Sequence, residues 1–256
     1  MGNNNTIAKL ANIFVEHGIY SKNRFASSNC PLRVFQKIYP EDVYSKQIEE
    51  FLRYQPEHHS GNGADLPWWG NRYFTDDKGI RIMIVGQDSR TPNGGSVTFY
   101  MPLLKDKRRV NELRGIINSY SHWDPFVSFE LIKEFFEKCN LNYDFGYVTD
   151  AQKVENNWEE LFEREIEIVN PDVILCLGNR GLTYLLKTKN PKITKIVDKE
   201  DTSLEVHQKA LVSMPKKPII VASLFPSKIN THNTDERERN VISTLDKVIR
   251  KLEGMV

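Results

Sequence analysis

The chain is short of cysteine, and its three cysteines, Cys30, Cys139 and Cys176, are widely scattered along 256 residues. An odd, dispersed set supports no disulfide framework, which favours a reducing compartment. No CxxC pair or Cys/His cluster offers the spacing of a metal site, and His58-His59 alone is too little to make one. Long apolar runs are missing as well. No stretch approaches the roughly 20 residues of a membrane span, and the first residues (Gly2-Asn3-Asn4-Asn5) are polar, unlike a secretory leader. A cytoplasmic protein with no membrane partner is expected. Charge of one sign is also lacking: 35 Lys and Arg face 34 Asp and Glu, a formal net charge of +1. Attraction to a polyanion must therefore come from a local patch. Neither a GxGxxG nor a Walker-type loop is present, so two common nucleotide-handling designs are excluded.

What is present is a pattern of buried strands. With 39% hydrophobic and 27% charged residues, the chain is large enough for one sizeable α/β core. Ile80-Arg81-Ile82-Met83-Ile84-Val85 runs straight into Gly86-Gln87-Asp88. A nearly continuous apolar run that ends in a glycine turn predicts a strand covered on both faces, hence a parallel sheet. Phe145-Gly146-Tyr147-Val148-Thr149 predicts a second strand, Val173-Ile174-Leu175-Cys176-Leu177 a third and Ile219-Ile220-Val221-Ala222-Ser223-Leu224 a fourth. Helices are predicted between them. One carries Leu131, Ile132, Phe135, Phe136 and Cys139 on a single face behind a Ser128 cap; another carries Trp158, Leu161, Phe162, Ile166 and Val169 and is stopped by Pro171. The last has Thr234 as cap, acidic residues in its first turn and an inner stripe of Val241, Ile242, Leu245, Val248, Ile249 and Leu252.

This alternation predicts one doubly wound, three-layer α/β domain over residues 79–256, with a central four-stranded, mostly parallel twisted sheet. Residues 1–78 read as a mainly helical extension packed on that core, with Ile48, Phe51 and Leu52 at helical spacing. His58 to Asn71 reads as a loop, in which Trp68-Trp69 is either a packing anchor or a platform for a base. Residues 187–217 are basic and irregular and receive no assignment.

In parallel sheets ligands collect at the carboxyl ends of the strands. Here those ends carry Gln87 and Asp88, Asp150 and Gln152, Asn179, and Ser227 with Lys228. Together they outline a pocket with few charges and backbone donors at helix starts, and Phe99 is able to face a planar ligand. Lys105, Lys107, Arg108, Arg109 and Arg114 form a basic cluster, either solvated loop charge or a phosphate contact.

Gly86-Gln87-Asp88, Phe99, Tyr147-Val148-Thr149-Asp150-Ala151, Pro171 through Asn179, and Pro226-Ser227 follow one another in an order that resembles the uracil-DNA glycosylase superfamily. The resemblance spans roughly residues 79 to 250. It implies a four-stranded parallel sheet, no cofactor, and an enzyme that acts on DNA, single- or double-stranded, by flipping out a base. A monomer is expected. By the same resemblance Asp88, supported by Gln87, positions the attacking water and stabilises the sugar cation. Phe99 stacks on the base. Gly86, Asp150 and Ser227 contact it, and Lys228, Ser227, Arg90, Arg108 and Arg109 hold DNA. His232 and Asn179 are possible auxiliaries.

The sequence also departs from that pattern. Asp150 stands where the family has asparagine, Phe225 where most branches have a catalytic histidine, and Ser89-Arg90 where the uracil-specific branch has Pro-Tyr. Iron–sulfur clusters use four cysteine ligands, and this chain has three. An ionised Asp150 only accepts hydrogen bonds, which favours a base bearing an exocyclic amine over uracil; alternatively Asp150 only caps a turn. The expected activity is excision of a damaged or modified base, a modified cytosine or uracil among the options. The alternative is a member that binds DNA or a base without cutting.

Overall fold

The structure is a computed structural model that describes residues 2–17, 67–88, 129–153, 156–226 and 230–254. The apolar runs do form strands, and they meet in one sheet of six in the order β1-β3-β2-β4-β6-β5. These are β1 (Trp68–Trp69), β2 (Ile82–Asp88), β3 (Gly146–Gln152), β4 (Val173–Leu177), β5 (Ser203–Glu205) and β6 (Ile219–Ser223). The neighbours β3, β2, β4 and β6 run parallel, while β1 and β5 pair antiparallel on the two edges. The sheet is therefore mixed and six-stranded, which corrects the expected count of four. The two added strands are only two and three residues long, too short to show an alternation.

The helices are α1 (Gly2–Glu16), α2 (Phe129–Lys138), α3 (Trp158–Val169), α4 (Asn179–Leu185), α5 (Ile193–Val197) and α6 (Asp235–Leu252). Local chemistry sets their ends. The Thr234 hydroxyl accepts from the Arg237 N–H at 3.4 Å, Asp235, Glu236 and Glu238 occupy the first turn of α6, and Arg250 and Lys251 its last. Asn170 closes α3 in the left-handed conformation (φ 47°) just before Pro171. Gly181 of α4 lies close to Val85 of β2, Cys176 of β4 and Phe162 of α3, so α3 and α4 cover the same side of the sheet. Lys138 of α2 and Glu238 of α6 join those two helices at 2.7 Å.

Tertiary packing overrides the loop reading of the tryptophan pair. Trp68 and Trp69 are buried, in register with Val148 and Tyr147 of β3, and Trp69 stacks on Tyr147 with centroids 6.0 Å apart. They are anchors of an edge strand. Of the 1–78 extension, α1 is described, and its Ile7, Leu10, Ala11, Ile13 and Phe14 are buried in the same core as the sheet. The helical spacing at Ile48, Phe51 and Leu52 lies outside the described residues. The unassigned 187–217 stretch contains α5 and β5, and β5 extends the sheet along β6.

An ion pair is buried among these apolar contacts. Lys153, just beyond β3, and Glu165 of α3 form an ion pair at 2.6 Å with both side chains at 0% exposure. Glu165 also accepts from the Tyr147 hydroxyl at 2.8 Å and the Thr149 hydroxyl at 2.9 Å. Lys153 donates a second bond to the Asp150 carbonyl, and its ammonium lies 5.5 Å from the centre of the Phe14 ring. Removing one member leaves an unpaired buried charge, which typically costs about 3–5 kcal/mol, whereas neutralising both is far less damaging. Lys153→Met should thus lower the unfolding free energy by about that amount, and Lys153→Met with Glu165→Gln should recover more than half of the loss in urea denaturation.

Candidate active site

The parallel strands β2, β4 and β6 end around a cleft of about 360 Å³. Its floor is Gln87, Gly178 and Asn179. One wall is Pro191 to Lys195, and the other is Leu224, Phe225, Asn230 and His232. Each part is placed by a local constraint.

Gly178 makes the turn from β4 into α4 at φ 115° and ψ −173°, a region open almost only to glycine. A Cβ there would come within 2.6 Å of Cγ and Cδ of Gln87. The absence of a side chain at 178 is therefore what lets Gln87 lie across the turn. Its Oε1 accepts from the Asn179 N–H at 3.3 Å. Because the partner is a donor, that contact identifies the amide oxygen.

The wall beyond β6 is held by Asn230. Its Nδ2 donates to the Phe225 carbonyl at 3.2 Å, and its Oδ1 accepts from the His232 N–H at 3.3 Å. Arg237 of α6 then donates from Nη1 to the His232 carbonyl at 2.5 Å. Phe225 and His232 thus face one cleft, each tied to Asn230. The opposite wall is fixed by Ile193 and Val197, both buried, and by Asn240 of α6, whose Nδ2 donates to the Val197 carbonyl at 3.1 Å.

The expected residues divide into three groups. Gln87, Asn179, Phe225 and His232 come together at the cleft. Gly86 and Asp150 are register partners on adjacent strands, one residue short of Gln87, and Asp150 is buried at 1% exposure. Asp150 lies two residues inside β3 and not at a turn, on the opposite side of the strand from Thr149. Asp88 is the last residue of β2, in register with Gln152. Phe99, Ser89, Arg90, Lys105, Lys107, Arg108, Arg109, Arg114, Ser227 and Lys228 lie outside the described residues.

Sequence reasoning missed Lys192, Thr194 and Lys195. The available signal was a run of lysines interleaved with Ile193 and Val197 at helical spacing. Thiol chemistry is not offered by the described cysteines. Burial pushes the Cys139 thiol up to about 12 and raises that of Cys176 still further, so both are packing groups. No group of three or more potential metal ligands occurs among the described residues.

Two costs are expected from Gly178→Ala: backbone strain of about 1–3 kcal/mol and displacement of Gln87. In a Gln87→Ala background the second disappears because Cγ and Cδ are gone. Thermal denaturation of the four proteins in this cycle should show a milder effect of Gly178→Ala in that background. Equal effects in both backgrounds would disprove the contact.

No family model matches the chain, and no curated protein matches it.

Proposed function

We propose that the protein is a DNA glycosylase that draws an extruded base into the cleft at the carboxyl edge of the sheet and hydrolyses its N-glycosidic bond. The observation that carries this reading is the convergence at one cleft of Gln87, from the Gly86-Gln87-Asp88 strand end, with Gly178, Asn179, Phe225 and His232, while Asp150 is the register partner of Gly86 on the neighbouring strand. Gly86-Gln87-Asp88, Asp150 and Gly178-Asn179 belong to segments on which the resemblance to the uracil-DNA glycosylase superfamily rests, while Phe99 and Ser227 lie outside the described residues.

The reaction needs stabilisation of a sugar cation, a positioned water and a way to accommodate the departing base. In the proposed mechanism the carboxylate of Asp88 supports the developing positive charge and orients the water. The water oxygen bonds to the anomeric carbon as the carbon–nitrogen bond breaks. The bonding electrons leave with the base, and the water's spare proton balances them. Phe225 has no proton to give, so the charge on the leaving base falls to His232 and to backbone N–H groups at the cleft. The Asp150 carboxyl oxygens accept from an exocyclic amine, which favours a modified cytosine over uracil. A second reading, binding without cleavage, is favoured by one feature: an apolar Phe225 in the cleft wall where a catalytic histidine would stand.

Alkali-induced strand cleavage of oligonucleotides carrying different bases separates the two readings. Product from any base supports the glycosylase, whereas DNA binding with no product from any base supports the second reading. Asp88→Asn should bind DNA normally and lose about 10²–10³-fold or more in turnover; near-normal turnover would remove Asp88 from the mechanism. Asp150→Asn should move the preference toward uracil by about 1–3 kcal/mol, the scale of one base contact. An unchanged ranking of bases would end the assignment of Asp150 as base reader.

A further inference from the structure

The wall of the cleft opposite Phe225 carries charge that the proposed chemistry does not use. Residues 187–199 contain five lysines, Lys187, Lys189, Lys192, Lys195 and Lys199, against a single acid, Asp198. That acid is already engaged: Arg237 donates from Nε to its Oδ1 at 2.6 Å. Lys187 is also committed, its ammonium 3.7 Å from the centre of the Tyr184 ring. Of the other four, Lys192 and Lys195 line the cleft and are exposed, and among the described residues neither is in an ion pair. Ile193 and Val197 anchor the same turns in the core, so the two lysines are presented on a fixed support.

A solvated pair of lysines needs no such support. Here two uncompensated cations stand beside a cleft whose described floor, Gln87, Gly178 and Asn179, is uncharged. A ligand with a neutral end on the floor and anionic groups along the rim matches that division. A nucleotide within a DNA strand has this form, its base neutral and its flanking phosphates anionic. We infer that Lys192 and Lys195 hold backbone phosphates of the DNA strand whose base enters the cleft. The inference rests on the proposed glycosylase reading and assigns a role to a segment that reading leaves idle. It also identifies a local source of attraction in a chain whose net charge is only +1.

Salt titrations of binding to a fluorescent single-stranded oligonucleotide test it. Each phosphate contact contributes about 0.7 to the slope of log affinity against log salt for single strands. The Lys192→Gln/Lys195→Gln variant should therefore bind more weakly with a slope shallower by about 1.4, while Lys192→Arg/Lys195→Arg keeps the wild-type slope. Lys216→Gln is the control, since Lys216 pairs with Asp172 at the amino end of β4. Thermal denaturation confirms that each variant is folded. A slope unchanged in the Gln variant overturns this inference and leaves the glycosylase reading standing. No binding by the wild-type protein overturns both. Competition by deoxynucleoside monophosphate or inorganic phosphate as effective, per phosphate, as competition by unlabelled oligonucleotide would mean a site for a lone phosphate and would overturn the strand.

Discussion

The buried pair of Lys153 and Glu165 is the constraint on which the rest of the arrangement depends. Two opposite charges removed wholly from water are costly unless nearly every polar atom finds a partner. Here Glu165 accepts from Lys153, Tyr147 and Thr149, and Lys153 also donates to the Asp150 carbonyl. The pair therefore specifies one geometry between β3 and α3, and Phe14 of α1 helps to close it from water. Tyr147 and Thr149 must face α3 to reach Glu165, so alternation turns Val148 and Asp150 to the other side of the strand. The parallel register with β2 then sets Asp150 beside Gly86. A structural ion pair thereby determines which carboxyl group stands next to the Gly86-Gln87-Asp88 end.

The second constraint is steric and sits one strand away. At Gly178 the chain adopts a conformation that a side chain would forbid, and the space thus freed is filled by Gln87. The two effects act on neighbouring strand ends. One holds β3 from beneath through charge, and the other lets β2 and β4 share a turn through the lack of a Cβ. Neither builds a complete pocket, because strand ends alone form only a floor. The walls come from the stretches after α4 and after β6, each braced by α6 through Asn240 and Arg237. The long C-terminal helix thus stabilises the cleft although it contributes nothing to its surface.

The interior of the fold was legible because burial on both faces leaves a continuous apolar signature. Val173 to Leu177 is entirely buried, and its five apolar residues say so directly. The edges were not legible. Two residues of β1 cannot display a period, and Trp68-Trp69 is strand only because Tyr147 and Val148 offer it a ladder and a ring to stack on. At the site, Gln87 and Asn179 could be read from the glycine turns before them. Lys192 and Lys195 could be read only as part of a lysine run, since their meaning depends on Arg237 withdrawing Asp198 from 39 positions away. Charge runs reveal their partners only in three dimensions.

On the proposed reading, an apolar Phe225 where a proton donor would stand bears on what kind of base suits this cleft. A glycosidic bond breaks more readily as the departing nitrogen carries its negative charge more comfortably. Where the site supplies a histidine, the site bears that burden. Here the wall at that position is apolar, and an apolar wall penalises an uncompensated anion. On the proposed reading the substrate shares the burden with His232 and the backbone N–H groups, through a substituent that delocalises charge or a ring position protonated before the bond breaks. Both features belong to modified bases more than to ordinary ones. On the proposed reading, Asp150 selects for an amine while Phe225 selects for a good leaving group. On that reading ordinary cytosine meets the first requirement and fails the second, so undamaged DNA is left intact.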